Sequence, residues 1–116
     1  MAWSSLGKQS KYHAKKVTID GITFDSQKEA TRWSELKLME KAGLIQNLQR
    51  QVKYELTPTF KKPGRRSERA SSYIADFVYT QDGETVVEDV KGFRTEAYKL
   101  KRKMMIFRYG IWINEV

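Results

Sequence analysis

SSYIADFVYTQDGETVVEDVKG, residues 71–92, carries the strongest structural signal in the chain. Two runs rich in β-branched and aromatic residues, 72–80 and 84–91, flank the dipeptide Asp82-Gly83. Asp-Gly is a strong signal for a tight hairpin turn, because both central residues of that turn need a positive φ. The stretch therefore predicts a β-hairpin of two antiparallel strands.

Acidic side chains occur on both predicted strands of this hairpin. Asp76 stands among aromatic and aliphatic neighbours, where an unpaired carboxylate is costly unless cations or donors meet it. Because side chains alternate along a strand, Asp89 and Lys91 share one face, and Glu88 and Val90 share the other. If Asp76 and Asp89 converge, a hard divalent cation relieves their repulsion. The spacing thus suggests a metal site, although a solvated polar face with an Asp89–Lys91 pair explains the same residues.

Composition limits the classes of protein that are possible. The 116 residues predict one domain, and no apolar run approaches the roughly 18 residues of a membrane span. We therefore expect a cytoplasmic protein that does not enter membranes. There is no cysteine, and the single His13 cannot build a zinc site, so a metal must bind to oxygen. The net charge of +8 favours a polyanionic partner, with nucleic acid ahead of an acidic protein or membrane surface.

Turn and periodicity signals predict the other elements. In chain order these are a small hairpin around Asp20-Gly21, a helix over 27–42 closed by Gly43, a strand over 51–57, a helix from 96 that ends before Gly110, and a strand over 111–116. The first helix begins with a Ser-x-x-Glu capping box, and a helix that crosses from the central hairpin to the last run makes that run a parallel strand. The sequence therefore predicts an α/β fold with a mixed central sheet flanked by helices.

The second helix carries two apolar stripes. The stripe predicted to pack on the sheet contains Ala97, Leu100, Met104 and Phe107. The other, which is too apolar for a solvent face, contains Tyr98, Met105 and Tyr109. Packing against the first helix and a dimer contact both explain this second stripe.

Glu29 on the first helix has two interpretations. As the return partner of the capping box, its carboxylate accepts a hydrogen bond from the Ser26 amide. If it projects toward the sheet with Trp33 and Leu36, it adds a third carboxylate to the predicted metal site. We expect the two roles to exclude each other, because one carboxylate has one rotamer at a time.

Basic residues concentrate in three segments, each of which is either a DNA contact or a solvated surface. Residues 1–16 are predicted to form a flexible basic arm, residues 61–69 are predicted to form a mobile loop, and the third segment is a basic surface on the second helix. The candidate DNA-binding residues are Lys15, Lys16, Lys61, Lys62, Arg65, Arg66, Arg69, Lys99, Lys101, Arg102 and the uncharged Gln51. For Gln51 a substrate contact and a plain surface position fit the pattern equally well.

Asp76, Asp89, Val90 and Lys91 together resemble the signature of the PD-(D/E)XK nuclease superfamily, with Ala75 in place of its proline. The predicted order of elements resembles the αβββαβ core of that superfamily, which restriction endonucleases share. The segments FDSQKEATRW, SYIADF and VEDVKGFRTEAYKLKRK are similar to small phage and prophage endonucleases. Glu29 completes the order of acidic helix, Asp and acidic-x-Lys found in phage junction-resolving endonucleases.

The resemblance implies a mechanism. Asp76 and Asp89 are expected to bind Mg²⁺, for which Mn²⁺ substitutes, together with Glu29 and the backbone carbonyl of Val90. Lys91 is expected to hold or activate the attacking water. The implied activity is hydrolysis of DNA, with Glu29, Asp76, Asp89 and Lys91 as the catalytic residues.

A structure-selective enzyme of phage DNA metabolism, such as one that cuts Holliday junctions in the host cytoplasm, is the favoured function. Paired cuts require a homodimer, and other phage replication or packaging proteins are candidate partners. A nicking or restriction-like nuclease, an RNA nuclease, and a noncatalytic DNA-binding or assembly protein with the same fold are the alternatives.

Overall fold

The computed structural model describes residues 15–90 and 93–116, in which six strands and two helices occur. They are β1 Val17–Ile19, β2 Ile22–Phe24, α1 Gln27–Lys41, β3 Gln46–Thr57, β4 Ser71–Gln81, β5 Glu84–Asp89, α2 Glu96–Tyr109 and β6 Asn114–Glu115. The order of elements agrees with the expectation from sequence, and the chain is a mixed α/β protein. Within these ranges no helix is long and apolar enough to span a membrane.

The central hairpin forms at the predicted turn. Strands β4 and β5 pair antiparallel up to Gln81 and Glu84, and the two turn residues, Asp82 and Gly83, have φ of 52° and 80°. A four-stranded sheet has the order β3-β4-β5-β6, and β6 runs parallel to β5 as predicted. The small β1–β2 hairpin forms a second, two-stranded sheet. The central sheet is therefore mixed, and Asp89 lies at the end of its third strand.

Strand β3 begins earlier than the sequence indicated. It starts at Gln46 rather than Gln51 and contains two residues of positive φ, Asn47 at 56° and Gln51 at 55°. The exposure of its side chains nevertheless alternates without interruption from Asn47 to Glu55. Arg50 and Val52 pair with Phe77 and Ala75, so Gln51 lies opposite Asp76.

Strand β4 changes its facing at Asp76. Ala75 packs in one hydrophobic cluster and Phe77 in the other, although side chains two apart normally share a face. The bend at Gln51 on the neighbouring strand is at the same level. Asp76 therefore lies between two residues of β4 that pack in different hydrophobic clusters.

Two hydrophobic clusters cover the sheet. The cluster on the α1 side contains Phe24, Ala30, Trp33, Leu36, Ile45, Phe77 and Tyr79. The cluster on the α2 side contains Leu56, Tyr73, Ala75, Val78, Val87, Tyr98 and Met105. The helix α1 begins at Gln27 as predicted and ends at Lys41, one residue before the expected end, with Ala42 as its cap.

The prediction for the faces of α2 is wrong. Leu100 and Phe107 of the expected sheet-facing stripe are exposed, Phe107 to 92%, while Tyr98 and Met105 of the other stripe are buried against β3, β4 and β5. Packing of this stripe against α1 and a dimer contact through Tyr98 and Met105 are therefore both excluded. Because α2 carries two apolar stripes, its periodicity does not determine which face packs on the sheet. The hydrogen bond of 2.7 Å from the Tyr98 hydroxyl to Glu115 helps to hold the observed face there.

The basic segment 61–69 lies between β3 and β4 and is exposed along its length. Its base is closed by one antiparallel bridge, in which Phe60 and Glu68 exchange two backbone hydrogen bonds of 2.9 Å. The arginine and lysine side chains of the segment are exposed beyond the ends of β3 and β4.

Candidate acidic site

A pocket of about 470 Å³ opens where the start of α1, strand β4, the end of β5 and the start of α2 meet. Its polar lining residues are Asp25, Ser26, Glu29, Ser72, Tyr73, Asp76, Asp89, Thr95, Tyr98 and Lys101. Val90 also lines it. Glu29, Asp76, Asp89 and Val90, which were predicted from sequence as ligands, are thus brought together. The predicted catalytic Lys91 lies outside the described residues.

Asp89 is buried at the end of β5, with 3% of its surface exposed. Its Oδ2 accepts a hydrogen bond of 2.5 Å from the Tyr73 hydroxyl. Burial, followed by the bond to Asp89, raises the pKa of Tyr73, so the phenol stays a neutral donor. The alternative of a solvated polar face is therefore wrong for Asp89. The tyrosine instead fixes one carboxylate oxygen.

The surroundings of Asp76 raise the pKa of its carboxyl group. Its Oδ2 accepts a hydrogen bond of 2.8 Å from the Val90 amide. Burial is the largest cause that raises its pKa, and the charge of Glu29 and a hydrogen bond with it add to the effect. The negative charge of Glu29 thus opposes ionisation of the Asp76 carboxyl.

The Glu29 carboxylate accepts a capping hydrogen bond and also lines the acidic pocket with Asp76. Its amide donates to the Ser26 hydroxyl at 3.1 Å, and its Oε1 accepts from the Asp25 amide at 3.1 Å. The capping bond thus forms, but to the residue before the one predicted. At the same time the carboxylate, which is 6% exposed, acts on Asp76 as described above. One rotamer allows the capping bond and the place in the pocket because the helix start directly borders the pocket, while metal binding by Glu29 stays a prediction.

The donor set of the pocket matches the preferences of a hard cation. All the candidate ligands are oxygens, which Mg²⁺ prefers, and a divalent cation would relieve the repulsion between Glu29 and Asp76. As the side chains stand, residues 15–90 and 93–116 contain no group of three or more acidic, His or Cys side chains arranged to hold a metal. One oxygen each of Asp76 and Asp89 accepts from a protein donor. Because an ionised carboxylate has about four lone-pair sites, these bonds do not by themselves prevent a cation from contacting the two side chains.

A buried ion pair that the sequence did not reveal lies behind the site. Arg32 donates to Glu88 through Nε at 2.8 Å and through Nη2 at 2.6 Å, and the Tyr79 hydroxyl donates to the same carboxylate at 2.5 Å. Burial and the bond to Glu88 raise the pKa of Tyr79 to about 12. Glu88, with 1% exposure, precedes Asp89, and Arg32 lies one turn after Glu29. The pair therefore connects the helix and the strand that carry two of the site carboxylates.

The predicted DNA-binding residues fall into different settings. Lys101 lines the acidic pocket, whereas Lys99 is paired with Glu96 at 3.0 Å and Arg102 with Glu115 at 2.8 Å. Lys15 and Lys16 are exposed before β1, and Gln51 is exposed at the bend of β3. The basic loop residues Lys61, Lys62, Arg65, Arg66 and Arg69 are exposed.

Fold and site together define a mixed α/β protein with an acidic pocket at one end of its sheet. The chain belongs to the family described as "Protein of unknown function (DUF1064)", whose model matches residues 9–114. Searches of curated proteins and of solved structures gave no match.

Proposed function

We propose that this protein is a Mg²⁺-dependent DNA endonuclease with a PD-(D/E)XK-like αβββαβ core. The observation that carries the proposal is that Glu29, Asp76 and Asp89, from three separate elements, line one pocket together with Val90. The burial of Asp89 and the raised pKa of Asp76 support it, because perturbed carboxylates in a cleft are typical of functional sites.

Each side chain has a defined task in this proposal. Asp76 and Asp89 hold the metal, with Glu29 and the Val90 carbonyl as further oxygen ligands, and Tyr73 keeps Asp89 in position. The bound Mg²⁺ supplies Lewis acidity at a phosphoryl oxygen. Lys91 holds the attacking water or offsets the negative charge that develops on the phosphate.

DNA is the proposed substrate because the chain carries a net charge of +8. The exposed loop 61–69 and the cations near the start of α2 would contact phosphates, which positions DNA without reading its sequence. We propose selectivity for branched DNA in phage metabolism, with a homodimer that makes paired cuts. A dimer contact would have to use surfaces other than the buried Tyr98 and Met105.

A noncatalytic DNA-binding protein of the same fold is the second candidate. The observation that favours it is the existing bonding of the pocket, in which Tyr73 and the Val90 amide already satisfy one oxygen each of Asp89 and Asp76. In that case the acidic residues would only stabilise the end of the sheet.

The deciding experiment is cleavage of a labelled four-way DNA junction in Mg²⁺, Mn²⁺ and EDTA, with linear duplex, single strand and a matched RNA as controls. Asp89→Asn should lower Mg²⁺-dependent cleavage by more than about 100-fold, because the charge that binds the metal is lost. Asp82→Asn is the matched control, since it makes the same change in the hairpin turn, where Asn tolerates the φ of 52°.

The outcomes separate the candidates. Paired cuts in the junction that are lost only in Asp89→Asn support the resolving endonuclease, while cuts in every DNA support a nicking or restriction-like enzyme. If both variants and the wild-type protein bind DNA but none cuts it in either metal, the noncatalytic protein is the better account. If the matched RNA is cleaved faster than the DNA junction, RNA rather than DNA is the substrate.

A further inference from the structure

A second pocket, of about 570 Å³, lies between α2 and the C-terminal strand β6. Three cations, Arg94, Arg102 and Lys103, line it together with Trp112 and one acidic side chain, Glu115. Of these five, only Arg102 was among the DNA-binding candidates from sequence. The pocket therefore combines positive charge and an aromatic ring at a place to which no role has yet been given.

Glu115 organises the positive side of this pocket. Its Oε1 accepts from Arg94 Nε at 2.7 Å, and its Oε2 accepts from Arg102 Nη1 at 2.8 Å and from the Tyr98 hydroxyl. A guanidinium has five N–H donors, and neither arginine makes another hydrogen bond to a side chain or carbonyl in the described ranges. The carboxylate therefore holds two planar cations in fixed positions and leaves most of their donors for a ligand.

Trp112 gives the pocket its apolar wall. Its side chain is 75% exposed, which is unusual for the largest aromatic residue in a chain that buries Trp33. An indole beside ordered guanidinium groups presents a flat surface for stacking next to donors for an anion. The base and phosphate of a nucleotide have this combination of a planar ring and negative charge.

The second pocket adjoins the acidic one. Tyr98 lines the acidic pocket and bonds to Glu115 in the wall of the second. Along α2, Lys101 borders the first pocket, and the next two residues, Arg102 and Lys103, border the second. A strand that leaves the acidic pocket over the start of α2 therefore reaches the second pocket directly.

We propose that the pocket at Trp112 binds one unstacked nucleotide of a single-stranded segment, with its base on the indole and its phosphate between Arg94, Arg102 and Lys103. The inference rests on the proposed function for its nucleic-acid partner and adds a subsite outside the acidic pocket. A base within a duplex is stacked on both sides, so the subsite favours single-stranded ends and the unpaired parts of branched DNA.

The test measures binding to the full chain in EDTA, where metal-dependent cleavage is absent. The probe is a fluorescently labelled oligothymidine of about 12 nucleotides, within the range of known single-strand site sizes. Trp112→Ala should weaken binding between about 5-fold and about 150-fold, which corresponds to the 1–3 kcal/mol of one stacked base. Phe107→Ala, which removes a 92% exposed aromatic residue of α2 outside the pocket, should leave binding unchanged.

A second variant distinguishes stacking from loss of structure. Trp112→Phe keeps an aromatic face, so its affinity should stay within about threefold of the wild-type value. The quenching of tryptophan emission that unlabelled oligothymidine causes in the wild-type protein should disappear in this variant. Quenching that persists in Trp112→Phe would assign the signal to another tryptophan and overturn the stacking.

Salt dependence tests the phosphate contact. Lys103→Ala should reduce the slope of log K against log salt concentration by about 0.7, the value for one phosphate contact on a single strand. Lys53→Ala, on an exposed part of β3 away from the pocket, should not change it. Equal slopes for the two variants would remove Lys103 from the subsite.

The results separate this inference from the nuclease proposal. If oligothymidine binds and Trp112→Ala binds equally well, the subsite is wrong and the nuclease remains. If Trp112 stacks but no DNA is cut in Mg²⁺, the subsite remains and the enzyme is wrong. Equal competition by an acidic peptide would show that the pocket recognises charge alone and would overturn the assignment to a nucleotide.

Discussion

Replacing Arg32 by methionine should destabilise the protein strongly, because it leaves Glu88 charged and buried without its cation. Glu88 is 1% exposed and accepts two bonds from Arg32, and the methionine keeps most of the aliphatic stem. Removal of one partner of a buried ion pair costs about 3–5 kcal/mol. The Arg32 side chain is 25% exposed, so water reduces the loss, and we expect about 3 kcal/mol.

Urea unfolding measures this loss. With an m-value of about 1.5 kcal/mol/M, a change of 3 kcal/mol moves the midpoint by about 2 M. Glu35→Ala is the control, since Glu35 is the other partner of Arg32 at 3.0 Å and lies exposed on the next turn of α1. Its removal should cost less than about 0.5 kcal/mol.

A double variant tests the stated cause. Arg32→Met combined with Glu88→Gln removes both charges and keeps an acceptor for the Tyr79 hydroxyl, so it should be more stable than Arg32→Met alone. A loss below about 1 kcal/mol for Arg32→Met, or a double variant less stable than the single one, would refute the reasoning that the buried carboxylate depends on this guanidinium.

Three further predictions concern single contacts. Tyr73→Phe removes the donor to buried Asp89 and should lower the free energy of unfolding by about 1–3 kcal/mol in urea; an unchanged midpoint would contradict the bond. The pKa of Glu115 is lowered to about 2 from 4.5, so its stabilisation is present above pH 4.5 and is lost as pH falls toward 2. The stability difference between wild-type protein and Glu115→Gln should therefore shrink over that range, and a constant difference in acid titrations would oppose this. Gly110→Ala should cost about 1 kcal/mol in a thermal melt, because Gly110 ends α2 at φ 68°; a neutral change would show that the helix end relaxes.

Local signals in the sequence predicted most of the elements. Asp82-Gly83 located the central hairpin, Ser26 the start of α1, and Gly110 the end of α2. These signals depend on φ preferences and on hydrogen bonds within a few residues, which is why they can be recognised without the rest of the fold. The parallel pairing of the last strand followed from the same order of elements.

The candidate site was predicted in part. The spacing of Asp76 and Asp89 and the place of Glu29 on the first helix predict a shared site, and all three residues line one pocket. The burial of Asp89 by Tyr73 was not foreseen, because an Asp-x-Lys pair at the end of a strand is as typical of a solvated face. The sequence does not show which side chain donates to a carboxylate from a strand 16 residues away.

Long-range packing accounts for the rest. Three features depend on contacts between distant segments. They are the face of α2 that is buried, the positive φ of Gln51 opposite Asp76, and the pairing of Arg32 with Glu88. Periodicity showed two apolar faces on α2, and the face predicted to pack on the sheet is the one that is exposed. The sequence by itself therefore determined the turns, the helix caps and the positions of the acidic residues, which depend on local chemistry. Only the tertiary structure decided which face of α2 is buried and which partners the buried charges have. The energies of these contacts arise from burial between segments that are far apart in sequence.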